Sequence, residues 1–422
     1  MTVVGRAASV VLATVLTVAG CVTSTPEPTR TRSDDASGSP TSRRSPLVTQ
    51  PRATTFVFAI GAEPTSFSPA AQDAGTRLIG RFLFSALYRL DERLLPRPDL
   101  AEAPPFIADD GRTWTVQLLP RIRFHDGSRL DPADVVFTYQ LALSPNCPFG
   151  ELCSIARAGL LDVSAEGDRG VRLELREPDS ALLATLLSQL WIVPRGPVQA
   201  SQKRFLDGAR VVGPEAVAAL VERVDTQTNA AACLGDSPPE PCALATHIDA
   251  LEALLRKADL PLPARRAFPD GAGGDDAEAY AAALLRRVQL IGSALGSSGI
   301  DQLAAAFPLL DFGEDPVGTG AFAFERYRPG DAVELRRFAG AAGGAASIAN
   351  VRAQIIEDPR VAATALKTGE IDWLPEIGAE QVSELANDAA VRIGGRPGPG
   401  IRLIVFNVRS GRVYADPAAR HG

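Results

Sequence analysis

From Thr54 onward the chain alternates short β-branched or aromatic runs with stretches whose apolar residues recur at helical spacing, and that alternation confines it to an α/β fold. Thr55 to Ile60 has strand composition and ends at the turn Gly61-Ala62-Glu63-Pro64. Arg77 to Leu90 carries a helical stripe of Leu78, Phe82, Leu83, Ala86 and Leu87. Strands are expected at Trp114 to Leu118 and Arg121 to Phe124, on either side of Pro120, before the turn Asp126-Gly127. A helix then opens on Asp131 as N-cap, with Pro132 at its first position and Asp134 at its third, and should bury Val135, Val136, Tyr139 and Leu143. Asp358-Pro359 repeats that start before Val361 to Lys367, where Gly369 supplies a left-handed stop. Leu403 to Phe406 is a continuous apolar run, as in a strand buried on both faces.

Residues 204–300 behave differently. Apolar residues recur there at Ala250, Leu251, Leu254 and Leu255, then at Ala281, Leu284, Leu285, Val288 and Ile291, between Pro- and Gly-rich turns. A helical insertion is expected. The alternative, a partly disordered linker, rests on the loop-like run from Pro269 to Asp276.

The N-terminus has the order of an export signal, with Arg6 followed by an apolar run from Ala7 to Ala19. A bilayer-spanning helix needs about 20 apolar residues, so this shorter run reads as cleaved. Val18-Ala19-Gly20-Cys21 is similar to a bacterial lipoprotein box, in which Cys21 takes lipid. An ordinary secretory signal with an incidental cysteine is the alternative. Residues 22–53 are rich in Ser, Thr, Pro, Arg and Asp and read as a tether. The remaining cysteines fall into close pairs, Cys147/Cys153 and Cys233/Cys242, whose intervening turn formers suit two local disulfides in an oxidising compartment.

Composition excludes several functions. Hydrophobic residues at 45% and charged residues at 22% are ordinary for a globular chain, and a net charge of −7 argues against nucleic acid as the main partner. The histidines are His125, His247 and His421, too few for a multi-histidine metal site, and no metal or cofactor is expected. No nucleophile elbow, phosphate-binding loop or His-Glu-x-x-His is present. Gly318-Thr319-Gly320 lacks the third glycine of a dinucleotide loop and reads as a structural turn. His125-Asp126 has no nucleophile to serve and reads as a turn closed by Asp, while Asp109-Asp110 and Asp275-Asp276 read as solvated turns. The chain is therefore not expected to be an enzyme, and a hydrolase using an unrecognised acid pair is the remote alternative.

The ordered motifs resemble one family, the large solute-binding lipoproteins of ABC importers that include peptide- and nickel-binding members. Gly61 to Pro69 looks like its opening loop. Asp110 to Val116, Arg121 to Gly127 and Asp134 to Tyr139 resemble its most recognisable block, and Pro316 to Phe322, Leu366 to Asp372 and Phe406-Asn407 come next in the same order. Two departures stand out. Ala339 to Ser347 is Gly/Ala without the aromatics that relatives carry there, and Tyr414 to Arg420 resembles the start of the family's second large lobe, two residues before the end.

The resemblance implies a periplasmic-binding-protein-like (class II) lobe with a mixed sheet and a helical insertion, the second lobe missing. The implied division is 1–20 signal peptide, 21–53 lipidated Cys21 and tether, 54–90 and 301–402 first lobe, 91–203 inserted subdomain, 204–300 helical insertion, and 403–422 the start of a truncated second lobe. It implies a ligand cleft approached by Glu63, Pro64, Thr65, Ser66, Phe67 and Asn407, with Trp373 as a stacking candidate or a buried core residue. The implied function is the membrane-anchored, extracytoplasmic solute-binding component of an importer, with a peptide as solute and an ABC permease with its ATPase as partners. The alternatives are a non-transport surface lipoprotein that binds another protein and a truncated product without function.

Overall fold

The computed structural model describes residues 54–229, 242–268, 270 and 274–395. In chain order the elements are β1 (Thr55–Ile60), α1 (Ala74–Leu83), β2 (Tyr88–Leu90), β3 (Pro96–Pro98), β4 (Phe106–Ile107), β5 (Thr113–Gln117), α2 (Pro132–Leu143), α3 (Glu151–Gly159), β6 (Leu160–Glu166), β7 (Gly170–Leu175) and α4 (Ala181–Thr185). A helical stretch comes next, with α5 (Arg195–Val212), α6 (Pro214–Thr228), α7 (Ile248–Lys257), α8 (Ala277–Leu295) and α9 (Gly299–Ala306). The described chain closes with β8 (Phe322–Arg328), β9 (Ala332–Arg337), β10 (Asn350–Ile355), α10 (Pro359–Thr368) and α11 (Ala379–Leu385).

The sheet that positions the site has the order β1-β10-β9-β8 and is mixed. β1 runs parallel to β10, Thr55 facing Asn350, and the other pairs are antiparallel. A parallel pair cannot be closed by a tight turn, so everything between its two strands is one long crossover. α1 packs its Phe82 ring on Phe58 and Phe322 at 5.5 and 5.9 Å, covering one face. α10 covers part of the other through a small cluster of Ala59, Ala362, Ala365 and Ile371. A second, antiparallel sheet, β4-β5-β7-β6, shares one continuous apolar core with the first and with helices α1 to α9.

Several sequence expectations hold with their capping chemistry. Asp131 caps α2 by accepting from the Ala133 N–H, and Asp134 returns a bond to the Asp131 N–H at 3.0 Å. Asp134 also accepts the Arg195 N–H at 2.9 Å, so one carboxylate holds the starts of both α2 and α5; burial pushes its pKa up. Val135 and Tyr139 are buried as expected, while Val136 and Leu143 are half-buried and Phe137 and Leu141 are buried too. α10 starts on Asp358 and stops at Gly369, whose φ of 70° is left-handed. The described residues between 195 and 306 are largely helical, and Leu251, Leu254 and Leu255 share a core cluster with an α8 face of Ala281, Leu284, Val288 and Ile291. The strand expected at Leu403 to Phe406 lies outside the described residues.

Two expectations fail for tertiary reasons. The helix expected over Arg77 to Leu90 is α1, which starts on the Asp73 cap and ends at Leu83. There the Gly320 N–H donates to the Leu83 carbonyl at 2.9 Å, and the carbonyls of Ser85, Ala86 and Leu87 accept from the Ile192, Leu100 and Ala101 N–H groups. The apolar stripe continues beyond the helix because Ala86 and Leu87 are buried although they lie outside it. No strand forms at Arg121 to Phe124. Arg121 takes a left-handed φ of 63°, and the chain closes into a loop in which the Phe124 N–H donates to the Ser128 carbonyl at 2.9 Å.

Candidate functional site

The ends of β1 and β10, the first turns of α1 and α10 and the segment from Trp373 to Gly378 enclose a cleft of ≈ 1120 Å³. This is the edge where ligands gather in open α/β sheets, beyond the carboxyl ends of parallel strands. Trp373 stands in its wall and is 39% exposed. Its backbone is stitched to the β1 edge. The Ala59 N–H donates to the Trp373 carbonyl at 3.2 Å, the Trp373 and Asp372 N–H groups donate to the Val57 carbonyl at 3.2 and 2.7 Å, and the Asp372 carboxylate accepts the Val57 N–H at 2.8 Å. Phe56 and Phe58 sit beside the indole, with ring centroids 6.2 and 5.7 Å away. An indole fixed on one side and open on the other is built for stacking.

The charged groups of the cleft are Arg77 and Arg81, one turn apart on α1, and Glu357 and Glu376. The lining charge is balanced, which suits a solute carrying both signs or none. A second chamber of ≈ 880 Å³ shares Arg77, Arg81, Pro375 and Glu376 with the first, so the two spaces meet there.

The opening-loop candidates are placed elsewhere. Gly61 lines the cleft, but the Glu63 side chain is 3% exposed and serves as an internal anchor. It accepts from the Tyr327 hydroxyl, from the Gly330 N–H at 3.1 Å and from Arg266, also at 3.1 Å. Burial and the facing carboxylate together push the Tyr327 phenol up. Pro64 is buried. The Thr65 hydroxyl turns to Asp73 at 3.3 Å, and the Ser66 oxygen accepts the Ser68 N–H at 3.1 Å. Phe67 is buried against Phe324 and Tyr327, with centroids 4.9 and 5.3 Å away. The structure thus brings Glu63 and Phe67 together around Tyr327 and leaves Trp373 apart, in the cleft. Asn407 lies outside the described residues, as do Cys21 and Cys233. Cys147 and Cys153 are bonded with their Cα atoms 5.7 Å apart, and Cys242 is disulfide-bonded.

His125 shows why no catalytic chemistry follows from His125-Asp126. Its Nδ1 accepts the Gly318 N–H at 3.2 Å, which leaves the proton on Nε2 to donate to the Gly320 carbonyl at 3.1 Å. Both ring nitrogens are spent holding the Gly318-Thr319-Gly320 turn. Those glycines are structural, since a Cβ at Gly318 would stand 2.0 Å from the Leu83 oxygen. Asp110 likewise closes its own turn through the Arg112 and Thr113 N–H groups, both at 2.9 Å.

Sequence reasoning missed Arg77, Arg81, Glu357 and Glu376. The only signal was that the two arginines fall on the polar side of an amphipathic helix, which says exposed and not which cavity they face.

A mixed α/β lobe with a cleft at the end of its parallel strand pair defines a binding-protein architecture. The sequence model described as "Bacterial extracellular solute-binding proteins, family 5 Middle" matches residues 96–214 and 291–422, and the chain belongs to that family. The matched stretches flank residues 215–290, which hold α6, α7 and most of α8. Among curated relatives, the oligopeptide-binding protein AppA of Bacillus subtilis is 34% identical over 135 residues, 32% of this chain and 24% of AppA. The glutathione-binding protein GsiB of Pectobacterium atrosepticum is 30% identical over 31% of this chain and 25% of its own. The peptide transport periplasmic protein SapA of Salmonella typhimurium is 34% identical over 27% and 20% respectively. The solved structure of Bacillus subtilis AppA with a nonapeptide superposes with a TM-score of 0.50 at 20% identity, covering 79% of this chain and 46% of that one. The chain spans about a quarter of the first curated relatives it matches and under half of that solved relative, and the likeness there is one of fold.

Proposed function

We propose that the chain is the solute-binding component of an ABC-type importer and that its solute is a peptide. The observation that carries this is the cleft itself, with an anchored, outward-facing Trp373 and two arginines and two glutamates in its wall, beyond the ends of β1 and β10. A peptide has both signs of charge, backbone donors and acceptors, and side chains that stack, so it uses every group in that wall. The names of relatives such as AppA and SapA support the same solute class. Among the described residues no nucleophile, base and orienter come together in the cleft, so the role proposed is binding without catalysis.

The finer parts of this reading rest on sequence. Cys21 is proposed as a lipid anchor holding the protein at the extracytoplasmic face of the bacterial cytoplasmic membrane, with residues 22–53 as its tether and permease and ATPase as partners. Residues 54–90 and 301–402 are proposed as the first lobe, 91–203 as its inserted subdomain, 204–300 as the helical insertion and 403–422 as the opening of a further lobe. Among the described residues no helix is long and apolar enough to cross a membrane.

Titration calorimetry of the 422-residue chain with a peptide series tests the solute. Saturable binding that weakens by about two- to twelvefold in Trp373→Ala is expected, the loss being one aromatic stack of roughly 0.5–1.5 kcal/mol. Heat that does not saturate with any peptide would refute the proposal.

A further inference from the structure

The second chamber explains more than the main cleft does about which peptides fit, a role that rests on the peptide-binding reading. The two spaces share Arg77, Arg81, Pro375 and Glu376 in their walls, so a solute in the main cleft lies beside a further ≈ 880 Å³. Part of the chamber wall has no side chain beyond a methyl, at Gly320, Ala321, Ala341, Ala342, Gly343 and Gly344, and Phe84, Tyr88, Leu90 and Leu94 supply apolar wall elsewhere. The Trp191 indole lines the same space. It is stacked on Phe84 with centroids 5.6 Å apart, and Gly80 makes room for it, since a Cβ at Gly80 would stand 2.5 Å from the ring. Trp191 is therefore a fixed, half-buried ring in the wall of a chamber that small residues keep open along one stretch, Ala341 to Gly344.

Charge decides what that surface selects. Arg77, Arg81 and Arg89 line the chamber against Asp91, Asp99 and Glu376, three of each sign. With three groups of each sign in the lining, neither a cationic nor an anionic side chain gains a net electrostatic attraction. A neutral aromatic ring gains a stack on Trp191 and the attraction of a guanidinium for its face, with no ion to desolvate. We propose that this chamber is a specificity pocket for a bulky aromatic side chain of the bound peptide.

Calorimetry with Ala-Ala-Ala, Ala-Trp-Ala, Ala-Lys-Ala and Ala-Glu-Ala tests this on the 422-residue chain. The tryptophan peptide should bind about tenfold more tightly than the others, within the worth of one buried aromatic stack. Gly343→Phe should fill the chamber without strain, since a Cβ there meets no atom within 4 Å. Both it and Trp191→Ala, which removes the flat surface, should collapse the Trp-to-Ala affinity ratio towards one. Gly196→Phe, at an equally open position on α5, should leave the ratio intact. A preference for lysine or glutamate, or a ratio that neither variant changes, would overturn the pocket while the peptide-binding reading stands. Absence of binding by all four peptides would overturn that reading and the pocket with it.

Discussion

Lowering the pH from 7.5 to 5 should cost this protein stability through His125, and the size of the loss can be bounded from the structure. Burial lowers the His125 pKa in the folded state, outweighing the Gly320 hydrogen bond and the Asp126 charge, which both raise it. The unfolded imidazole has a pKa of about 6.5. As pH falls, the unfolded chain therefore takes up a proton before the folded chain does, so stability is full above about 6.5 and is lost as pH falls from there towards the folded value. One proton sets the ceiling on the slope at about 1.4 kcal/mol per pH unit. The geometry supplies the cause, since a proton on Nδ1 would put a donor against the Gly318 N–H, which now donates to it at 3.2 Å. Urea denaturation of the native protein and His125→Asn, at half-unit steps from pH 5 to 7.5, isolates this group. The variant should be less stable at pH 7.5 by about 1–2 kcal/mol, the worth of the two bonds to the 318–320 turn. The gap between the proteins should then shrink as pH falls, because only the native protein pays for excluding the proton. Parallel stability curves across the range would refute the tautomer and the burial argument together.

Other outcomes follow from the same contacts. Glu63→Ala should cost about 1–3 kcal/mol in urea unfolding because it strands the half-buried Tyr327 hydroxyl, whereas Arg266→Ala should cost about 1 kcal/mol or less because Arg266 is 52% exposed; equal costs would disprove the anchoring role of Glu63. The Thr319 hydroxyl is buried without a hydrogen-bond partner among the described residues, so Thr319→Val, which keeps the shape, should raise stability by about 1 kcal/mol; a lowered melting temperature would mean that the hydroxyl is paired after all. Reducing Cys147–Cys153 should cost about 2 kcal/mol, as for a short closed loop, and thiol titration of the denatured, unreduced protein should find both sulfurs blocked.

Local signals were legible wherever a residue acts on its own neighbours. Asp131-Pro132 and Asp358-Pro359 start helices because a carboxylate reaches an N–H two residues on, and proline needs no partner at the first position. The stripes at Leu251, Leu254 and Leu255 and at Leu284, Val288 and Ile291 name buried faces because helical spacing puts them on one side. The same stripe misled at Ala86 and Leu87, which are buried although they lie outside the helix, because hydrophobic spacing reports burial and not hydrogen bonding. The site was less legible. Trp373 stood out as a candidate, yet whether it faced core or cleft depended on the Phe56 and Phe58 rings, which reach it only through the pairing of residues 372–373 with β1. Glu63 shows the converse, a candidate for the cleft that turns inward because Tyr327, Gly330 and Arg266 converge on it from distant segments.

The sequence by itself determined the α/β alternation, the starts of α2 and α10 and the stop of α10, the near-neighbour disulfide Cys147–Cys153 and, through an ordered series of short motifs, the family. Each of these depends on residues a few positions apart, where covalent geometry fixes who can meet whom. The tertiary structure alone decided that β1 pairs in parallel with β10, that His125 locks the 318–320 turn, and that Arg77, Arg81, Glu357 and Glu376 share a cleft with Trp373. Those contacts join residues from distant segments, and no local rule encodes them, because they form only when burial of one continuous core brings the segments together.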